Sequence, residues 1–257
     1  MTLCKSDIAD NLKEKLNIIL LDETDSTNNY LKELARQGEE EGTVVIADRQ
    51  TGGRGRYNRK FFSPQGCGIY MSVLLKPSFK PQDTILITAA AAVAVAKACE
   101  ELSGKKTEIK WVNDVLIDNK KVSGILTEGS VNPQNGEFDW AVLGIGINAY
   151  LPDKGFETEI ENIAGAVFDT RQKGLRNRLI TSVLNCFFGF YEDITKRTFL
   201  REYKQKSLCL GKEITVINSE KRIKAKAIDI DEDCRLLVEY ENGLREYLNS
   251  GEVGIKL

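Results

Sequence analysis

Gln50-Thr51-Gly52-Gly53-Arg54-Gly55-Arg56-Tyr57-Asn58-Arg59-Lys60-Phe61-Phe62-Ser63-Pro64-Gln65-Gly66-Cys67-Gly68-Ile69-Tyr70-Met71-Ser72 packs five glycines and four cations into one run. Glycines this dense cost too much backbone entropy for a helix and weaken a strand interior. They do let a backbone approach an anion closely, and arginine forks match phosphate oxygens in pairs. A basic surface loop has the same composition. Neither Gly-x4-Gly-Lys-Ser/Thr nor a Gly-x-Gly-x-x-Gly between strand and helix is present. By itself the run indicates an anion, phosphate foremost.

Working outward, residues 43–47 are β-branched and enter the run as a strand, and Gly68–Leu75 leaves it as another. Upstream, 17–21 is an apolar strand. Asp25 or Ser26 suits an N-cap for a helix over 27–37, which Gly38 ends. Residues 1–16 give a short helical lead-in with Ile8, Leu12 and Leu16 on one face. Downstream, Asp83 or Thr84 caps an alanine-rich helix to about Leu102, apolar nearly all round and therefore central. The texture over 107–148 is β, with turns at Asn119-Lys120 and Pro133-Gln134-Asn135-Gly136 joining consecutive hairpin strands. Residues 171–206 return to helix. Short strands at 213–218, 222–230, 235–240 and 244–249 then read as a small barrel or sandwich. The pattern is α+β, a mixed sheet with helices on one face, with a boundary near 207 between a first domain (1–207) and a small C-terminal β-barrel (208–257).

Composition removes whole classes of chemistry. The 257 residues contain no histidine, which excludes Ser-His and Cys-His catalysis and His-ligated metals. Any metal is then a hard ion on carboxylates and phosphates, most simply Mg²⁺. A net charge of -2 argues against general nucleic-acid binding. The six cysteines form no Cys-x-x-Cys pair, which fits reduced thiols in the cytoplasm. The chain opens on a polar segment rather than a signal peptide. Its longest apolar run, 85–96, falls short of the roughly 20 residues that span a bilayer.

Other clusters carry chemistry beside ordinary readings. Lys110-Trp111-Val112-Asn113-Asp114 sets a cation, an aromatic, an amide and a carboxylate at a strand end, though Asn-Asp is also common turn chemistry. Asp114 could hold Mg²⁺, Lys110 could meet a phosphate, and Trp111 could support a base. Lys121, after its turn, reads alone as a solvated edge charge, like Lys120. Gly144-Ile145-Gly146-Ile147-Asn148 reads alone as a strand that admits close backbone approach. Ser26-Thr27-Asn28 reads alone as a cap.

Taken together, the motifs resemble the biotin protein ligases. Gly-Arg-Gly-Arg with Ser-Pro-x-Gly-x-Gly-x-Tyr-x-Ser, Lys-Trp-x-Asn-Asp, Lys-x-Ser-Gly-Ile-Leu, Gly-x-Gly-Ile-Asn and the closing Ser250-Gly251-Glu252-Val253 follow in the family's order from about residue 22 onward. Val112 replaces the family's proline, Tyr57-Asn58 replaces Arg-x-Gly, and Phe61-Phe62 stands where a tryptophan is usual. Asn58 tolerates left-handed backbone, so the turn survives. The resemblance implies a class II synthetase-like domain followed by a small all-β barrel. It implies biotin, ATP and Mg²⁺ as ligands, and transfer of biotin to a lysine of a biotin carboxyl carrier domain. Ser26, Thr27, Asn28, Gln50, Gly53, Arg54, Gly55, Arg56, Lys121 and Gly124 would meet biotin. Arg54, Arg56, Trp111, Asn113, Lys121 and Asn148 would meet the nucleotide. Arg56, Lys121 and Lys110 would be catalytic, and Asp114 would meet the metal or take the proton of the incoming lysine. The glycine-arginine loop is expected to order over the adenylate.

Sixteen residues before the first strand leave no room for a helix-turn-helix domain, so DNA binding is not expected. Monomer and homodimer both stay open. A lipoate ligase or octanoyltransferase shares the architecture, but uncharged Ser26, Thr27, Asn28 and Gln50 favour a ureido head. A non-catalytic nucleotide-binding module is opposed by the retained Arg56, Lys110 and Lys121.

Overall fold

The computed structural model describes residues 2–218 and 221–255. Met1 of the expected lead-in, and residues 219, 220, 256 and 257 of the expected C-terminal barrel, lie outside the described residues.

Strands β1 (Asn17–Thr24), β2 (Thr43–Gln50), β3 (Gly68–Leu75), β4 (Glu108–Lys110), β5 (Asp114–Ile117), β6 (Lys120–Val131) and β7 (Phe138–Asn148) form one sheet in the order β1-β2-β3-β7-β6-β5-β4. Only β1 and β2 are parallel, because the helix α2 (Thr27–Arg36) carries the chain back between them. The other pairs are antiparallel. The β5–β6 turn puts Asp118 and Asn119 at φ 50° and 61°, as a tight hairpin requires.

Side chains alternate across the sheet, so neighbouring residues serve different faces. Val44, Ile46, Val73, Leu75 and Leu143 join the main core with the long helices α3 (Thr84–Ser103) and α4 (Leu175–Tyr191). Helix α3 is central, as its all-round apolarity indicated, and Gly104 ends it at φ 70°. Val45, Leu74 and Val142 point the other way and are covered by Leu31 and Ala35 of α2. The long helices therefore take one face and α2 the opposite one. With Leu31 and Ala35 as its buried apolar pair, α2 closes only a small patch.

The stretch 171–206 is not one helix. Helix α4 stops at Tyr191, Arg197 turns at φ 53°, and a separate α5 (Leu200–Gln205) follows. The break lets Phe199 and Tyr203 enter the core, where the Tyr203 hydroxyl donates to the Val112 carbonyl at 2.9 Å. The lead-in is helical only over α1 (Lys5–Ala9).

Beyond residue 208, β8 (Glu213–Asn218), β9 (Lys221–Ile230), β10 (Leu236–Tyr240), β11 (Arg245–Leu248) and β12 (Glu252–Ile255) form an antiparallel sheet ordered β11-β10-β9-β8-β12. The part is all-β, as expected, and β12 is a strand that the sequence did not announce. Among the described residues no pairing closes β11 onto β12, so the strands form an open sheet rather than a closed barrel. The connection is held against β4: Ile109 N–H donates to Lys206 O at 2.7 Å, and Leu208 N–H donates to Ile109 O at 2.8 Å. Trp111 Nε1 donates to Cys234 O at 3.0 Å, tying the second sheet to the turn after β4. No helix among the described residues is long and apolar enough to cross a membrane.

Candidate active site

A cleft of about 360 Å³ opens over β6 and β7, between the start of α2, the glycine-arginine loop and the turn after β4. One end is uncharged. Strand β1 delivers Ser26, Thr27 and Asn28 to it, buried to within 4 % exposure, and β2 ends there on Gln50. Ser26 sits at the N-cap position with extended backbone, but its hydroxyl makes no capping bond. Gln50 takes over that work: its Oε1 accepts the Thr27 N–H at 2.8 Å and lies 3.1 Å from the Thr27 hydroxyl. The residue that looked like a cap thus keeps its oxygen free of the helix. Gln50 Nε2 donates to Ser63 Oγ at 3.0 Å, and that hydroxyl donates to Phe61 O.

Glycines make the floor. A Cβ on Gly144 would lie 2.1 Å from Asn28 Oδ1, and one on Gly146 would lie 2.5 Å from the Phe61 ring. Gly124, paired with Gly146 across β6 and β7, would bring a Cβ to 3.1 Å from the Lys121 ammonium. Both readings of the Gly144–Asn148 segment therefore meet here: close approach is what shapes the cleft. Gly53 is beneath the loop rather than in the cleft lining, where a Cβ would strike Phe61 O at 2.4 Å.

The other end is cationic. Arg54, Arg56, Arg59, Lys60, Lys110 and Lys121 face only Asp114 and Glu252 in the lining, so an anionic ligand is favoured although the whole chain is slightly acidic. Arg56 Nη1 donates to Asn113 Oδ1 at 3.0 Å, and its guanidinium lies 5.1 Å from the Tyr57 ring centre. Asn113 is itself fixed, since Nδ2 donates to Ile125 O at 2.9 Å. Lys121 Nζ stands 2.7 Å from Asp114 Oδ1, an ion pair whose angles are not those of a hydrogen bond. Arg54 turns away toward Asn29 Oδ1 at 3.0 Å and Glu128 at 3.5 Å. The loop passes through left-handed backbone at Tyr57 and Asn58. It closes on itself with Gly55 N–H on Arg59 O at 2.7 Å. Lys110, Trp111, Gly55, Gly124 and Asn148 line the same cleft, with Trp111 buried and its N–H committed to the second sheet.

Sequence reasoning missed several partners. Ser72 donates into the uncharged end, reaching Asn28 Oδ1 at 2.6 Å. Ile160, Ile163 and Ala164 close the cleft as a strap, with Lys121 N–H on Ile163 O at 2.7 Å. That segment has no periodicity to announce it. Lys120 is not a free edge charge, because its ammonium donates to Asn162 O on the strap. Arg59 makes a two-bond fork with Glu252, at 2.9 and 2.5 Å, joining the loop to β12. The closing Ser-Gly-Glu-Val motif was visible, but its partner was not.

For a metal, no cluster of three histidine, cysteine or carboxylate ligands occurs among the described residues. Of the two carboxylates in the lining, Glu252 is engaged by Arg59, and Asp114 faces the cationic end beside Lys121. That donor set fits Mg²⁺ arriving on nucleotide phosphates, which needs one or two carboxylates and keeps its waters.

Residues 20–148 match the Biotin/lipoate A/B protein ligase family and residues 209–255 match the Biotin protein ligase C terminal domain. The chain is similar to the Bifunctional ligase/repressor BirA of Bacillus subtilis, 34 % identical over 95 % of this chain and 77 % of that one. It is also similar to the Biotin--[acetyl-CoA-carboxylase] ligase of Mycobacterium tuberculosis, 26 % identical over 90 % of this chain and 86 % of that one. The solved biotin protein ligase from Aquifex aeolicus in complex with biotin and ATP superposes with a TM-score of 0.73 at 31 % identity, covering 93 % of this chain and 98 % of that one. An uncharged pocket running into a cationic one, on a mixed sheet followed by a second small β-sheet, has the same pair of matched domains in the same order: the chain belongs to the biotin protein ligases of the biotin/lipoate A/B protein ligase family.

Proposed function

We propose that this chain activates biotin with ATP to biotinyl-5′-AMP and then transfers the biotinyl group to a lysine of a biotin carboxyl carrier domain. The observation that carries this reading is the continuity of the cleft. Ser26, Thr27, Asn28 and Gln50 lie at one end, and Arg56, Lys110 and Lys121 lie at the other. The ureido head is neutral and has both donors and acceptors, so it suits the first set. Its valerate carboxylate and the ATP phosphates are anions, so they suit the second.

In the first step a biotin carboxylate oxygen bonds to the α-phosphorus while the bridging α–β P–O bond breaks and pyrophosphate leaves. No proton moves, so a site without histidine suffices. What the step needs is two anions held together and charge offset as it develops. Lys121 and Arg56 supply that, and Asn113 holds Arg56 in place. Mg²⁺, where bound, would be held by the phosphates with Asp114 and would weaken their negative charge. In the second step the carrier's free amine attacks the anhydride carbonyl, the C–O bond to AMP breaks, and the nitrogen loses one proton. Asp114, a carboxylate of the cleft lining beside Lys121, can receive it. Residues 1–207 form the catalytic unit in this reading and 208–257 the smaller one. The six free thiols fit work in the reducing cytoplasm.

The test is ATP–pyrophosphate exchange with Mg²⁺ and biotin, lipoate, octanoate or no acid. Exchange that depends on biotin alone is expected. Exchange driven by lipoate would void the roles of Ser26 and Gln50.

A further inference from the structure

Glu128 on β6 does not line the cleft, yet two groups of the cleft lining, Asn28 and Arg54, lean on it, as does Lys32 of α2. Asn28 Nδ2 donates to its Oε2 at 2.8 Å, Lys32 pairs with its Oε1 at 3.0 Å, and Arg54 approaches the same oxygen at 3.5 Å. Burial raises this carboxyl, but the Asn28 amide and the Lys32 ammonium outweigh it and hold it below the ordinary carboxylate value. Glu128 is therefore ionised and can only accept.

That restriction propagates. An acceptor-only neighbour forces the Asn28 nitrogen toward Glu128 and its oxygen toward Ser72. Ser72, fully buried, has one proton, with Asn28 Oδ1 at 2.6 Å and Thr27 Oγ1 at 2.8 Å. Because Asn28 Oδ1 has no proton of its own, Ser72 spends its proton there. The Thr27 hydroxyl proton is then the one left to turn. It reaches Gln50 Oε1 at a long 3.1 Å, an oxygen already served by the Thr27 N–H at 2.8 Å. At the far end Gln50 is held the same way round by Ser63 and Phe61 O. The bonds thus diverge from the Thr27–Ser72 contact, through Asn28 to a carboxylate at one end and through Gln50 and Ser63 to a carbonyl at the other. The loosest proton belongs to the hydroxyl that faces the cleft.

Resting on the proposed biotin activation, we infer that Glu128 is a positioning residue which, through Asn28, fixes the donor–acceptor polarity of the uncharged end and so sets its affinity for the ureido head. Without the carboxylate, the Asn28 nitrogen keeps only the Leu126 carbonyl at 3.5 Å. The amide is then free to reverse, Ser72 turns its proton from Asn28 to Thr27 Oγ1, and the donor–acceptor pattern that the ligand meets is no longer the one fixed by Glu128.

The experiment is biotin-dependent ATP–pyrophosphate exchange by the full chain with Glu128→Ala, Glu128→Gln, Asn28→Ala and the Asn28→Ala/Glu128→Ala pair. Glu128→Ala should raise the KM for biotin about ten-fold, the effect of one misplaced buried hydrogen bond. The KM for ATP and the saturating rate should stay within about two-fold, and the urea midpoint should confirm that the variant is folded. Because Arg54 also touches Glu128, the pair decides: its KM for biotin should equal that of Asn28→Ala alone. Should Glu128→Ala fail to fold, Glu128→Gln keeps the shape while adding a donor, and its biotin KM should rise about three-fold or more. A biotin KM that does not change, one that rises together with the ATP KM, or single effects that multiply in the pair would each overturn the role. Wild-type protein with no biotin-dependent exchange would instead sink the proposed activity, which is a separate result.

Discussion

The two ends of the cleft are built on opposite plans. At the uncharged end the side chains are bonded to one another before any ligand arrives: Gln50 to Thr27 and Ser63, Ser72 to Asn28, Asn28 to Glu128. Four of the six are buried, and Gln50 and Glu128 are partly so. At the cationic end, Tyr57 is 60 % exposed, Arg54 is held by Asn29 and Glu128 outside the cleft lining, and Arg59 is held by Glu252 at its edge. A preformed neutral pocket loses little entropy when a rigid bicycle enters, which suits recognition. A cationic loop that can redirect its forks gains most when charge develops, which suits catalysis. The difference predicts where each substitution will register: KM for biotin at one end, turnover at the other.

The largest effect should come from the charged end. Lys121→Ala and Arg56→Ala should each slow adenylate formation about 100-fold or more, the cost of losing one oxyanion-type donor. The biotin KM should move far less. Single-turnover formation of labelled biotinyl-AMP measures this directly, and unchanged adenylation by Lys121→Ala would end its assignment. Next is the floor of the neutral end. Gly144→Ala puts a Cβ 2.1 Å from Asn28 Oδ1, with that side chain boxed in by Ser72 and Glu128. The biotin KM should rise about ten-fold or more as Asn28 is displaced, with turnover at saturation little changed. Equal losses in both parameters would erase the contrast between the two ends.

Much of this was legible in the residues. Strand β3 matched its expected range, because a nearly continuous apolar run has glycine at one boundary and proline beyond the other. The cleft residues were legible as motifs, since glycine and arginine spacing reports backbone approach and charge. What escaped was anything set by a partner distant in sequence. Ser26 has the identity and position of a cap, and only the fold reveals that Gln50, on another strand, takes the bond. Glu128 is one carboxylate among many until β6 places it against Asn28. The strap carrying Ile160 and Ile163 has neither periodicity nor turn chemistry that distinguishes it from an ordinary loop. Open-edge strands such as β12 are short, so a two-residue alternation there is hard to separate from chance.

The contrast sharpens further at Trp111, which belongs to the cationic end but is buried like the neutral one. Its indole N–H is committed to Cys234 O across to the second sheet. Trp111→Phe keeps an aromatic ring but removes part of its bulk and orphans that carbonyl, so the protein should lose about 2 kcal/mol or more in urea unfolding. A loss near zero would mean that solvent replaces the bond and that the second sheet is not anchored there.

The smallest effect is expected at Arg59 and Glu252, the other tie between the loop and the second sheet. The arginine is 66 % exposed and the carboxylate 24 % exposed, so the pair should contribute no more than about 1 kcal/mol despite its fork geometry. Burial pushes the Glu252 carboxyl up, but Arg59 outweighs this and holds it below its ordinary value. A carboxyl lowered by folding adds stability at neutral pH, keeps all of it above its unfolded value near 4.3, and loses it as acid carries the pH down through the folded value. The loop should therefore be tethered at neutral pH and released as the pH falls below the ordinary carboxylate value, in the range where only carboxylates titrate. Native hydrogen exchange of residues 54–60 follows this. Protection should fall on acidification in the wild type, and Glu252→Gln should start at the lower level and change little with pH. If the variant keeps the wild-type response, the tether is not the titrating element, and the cationic end is held by its own backbone bonds, as the neutral end is held by its side chains.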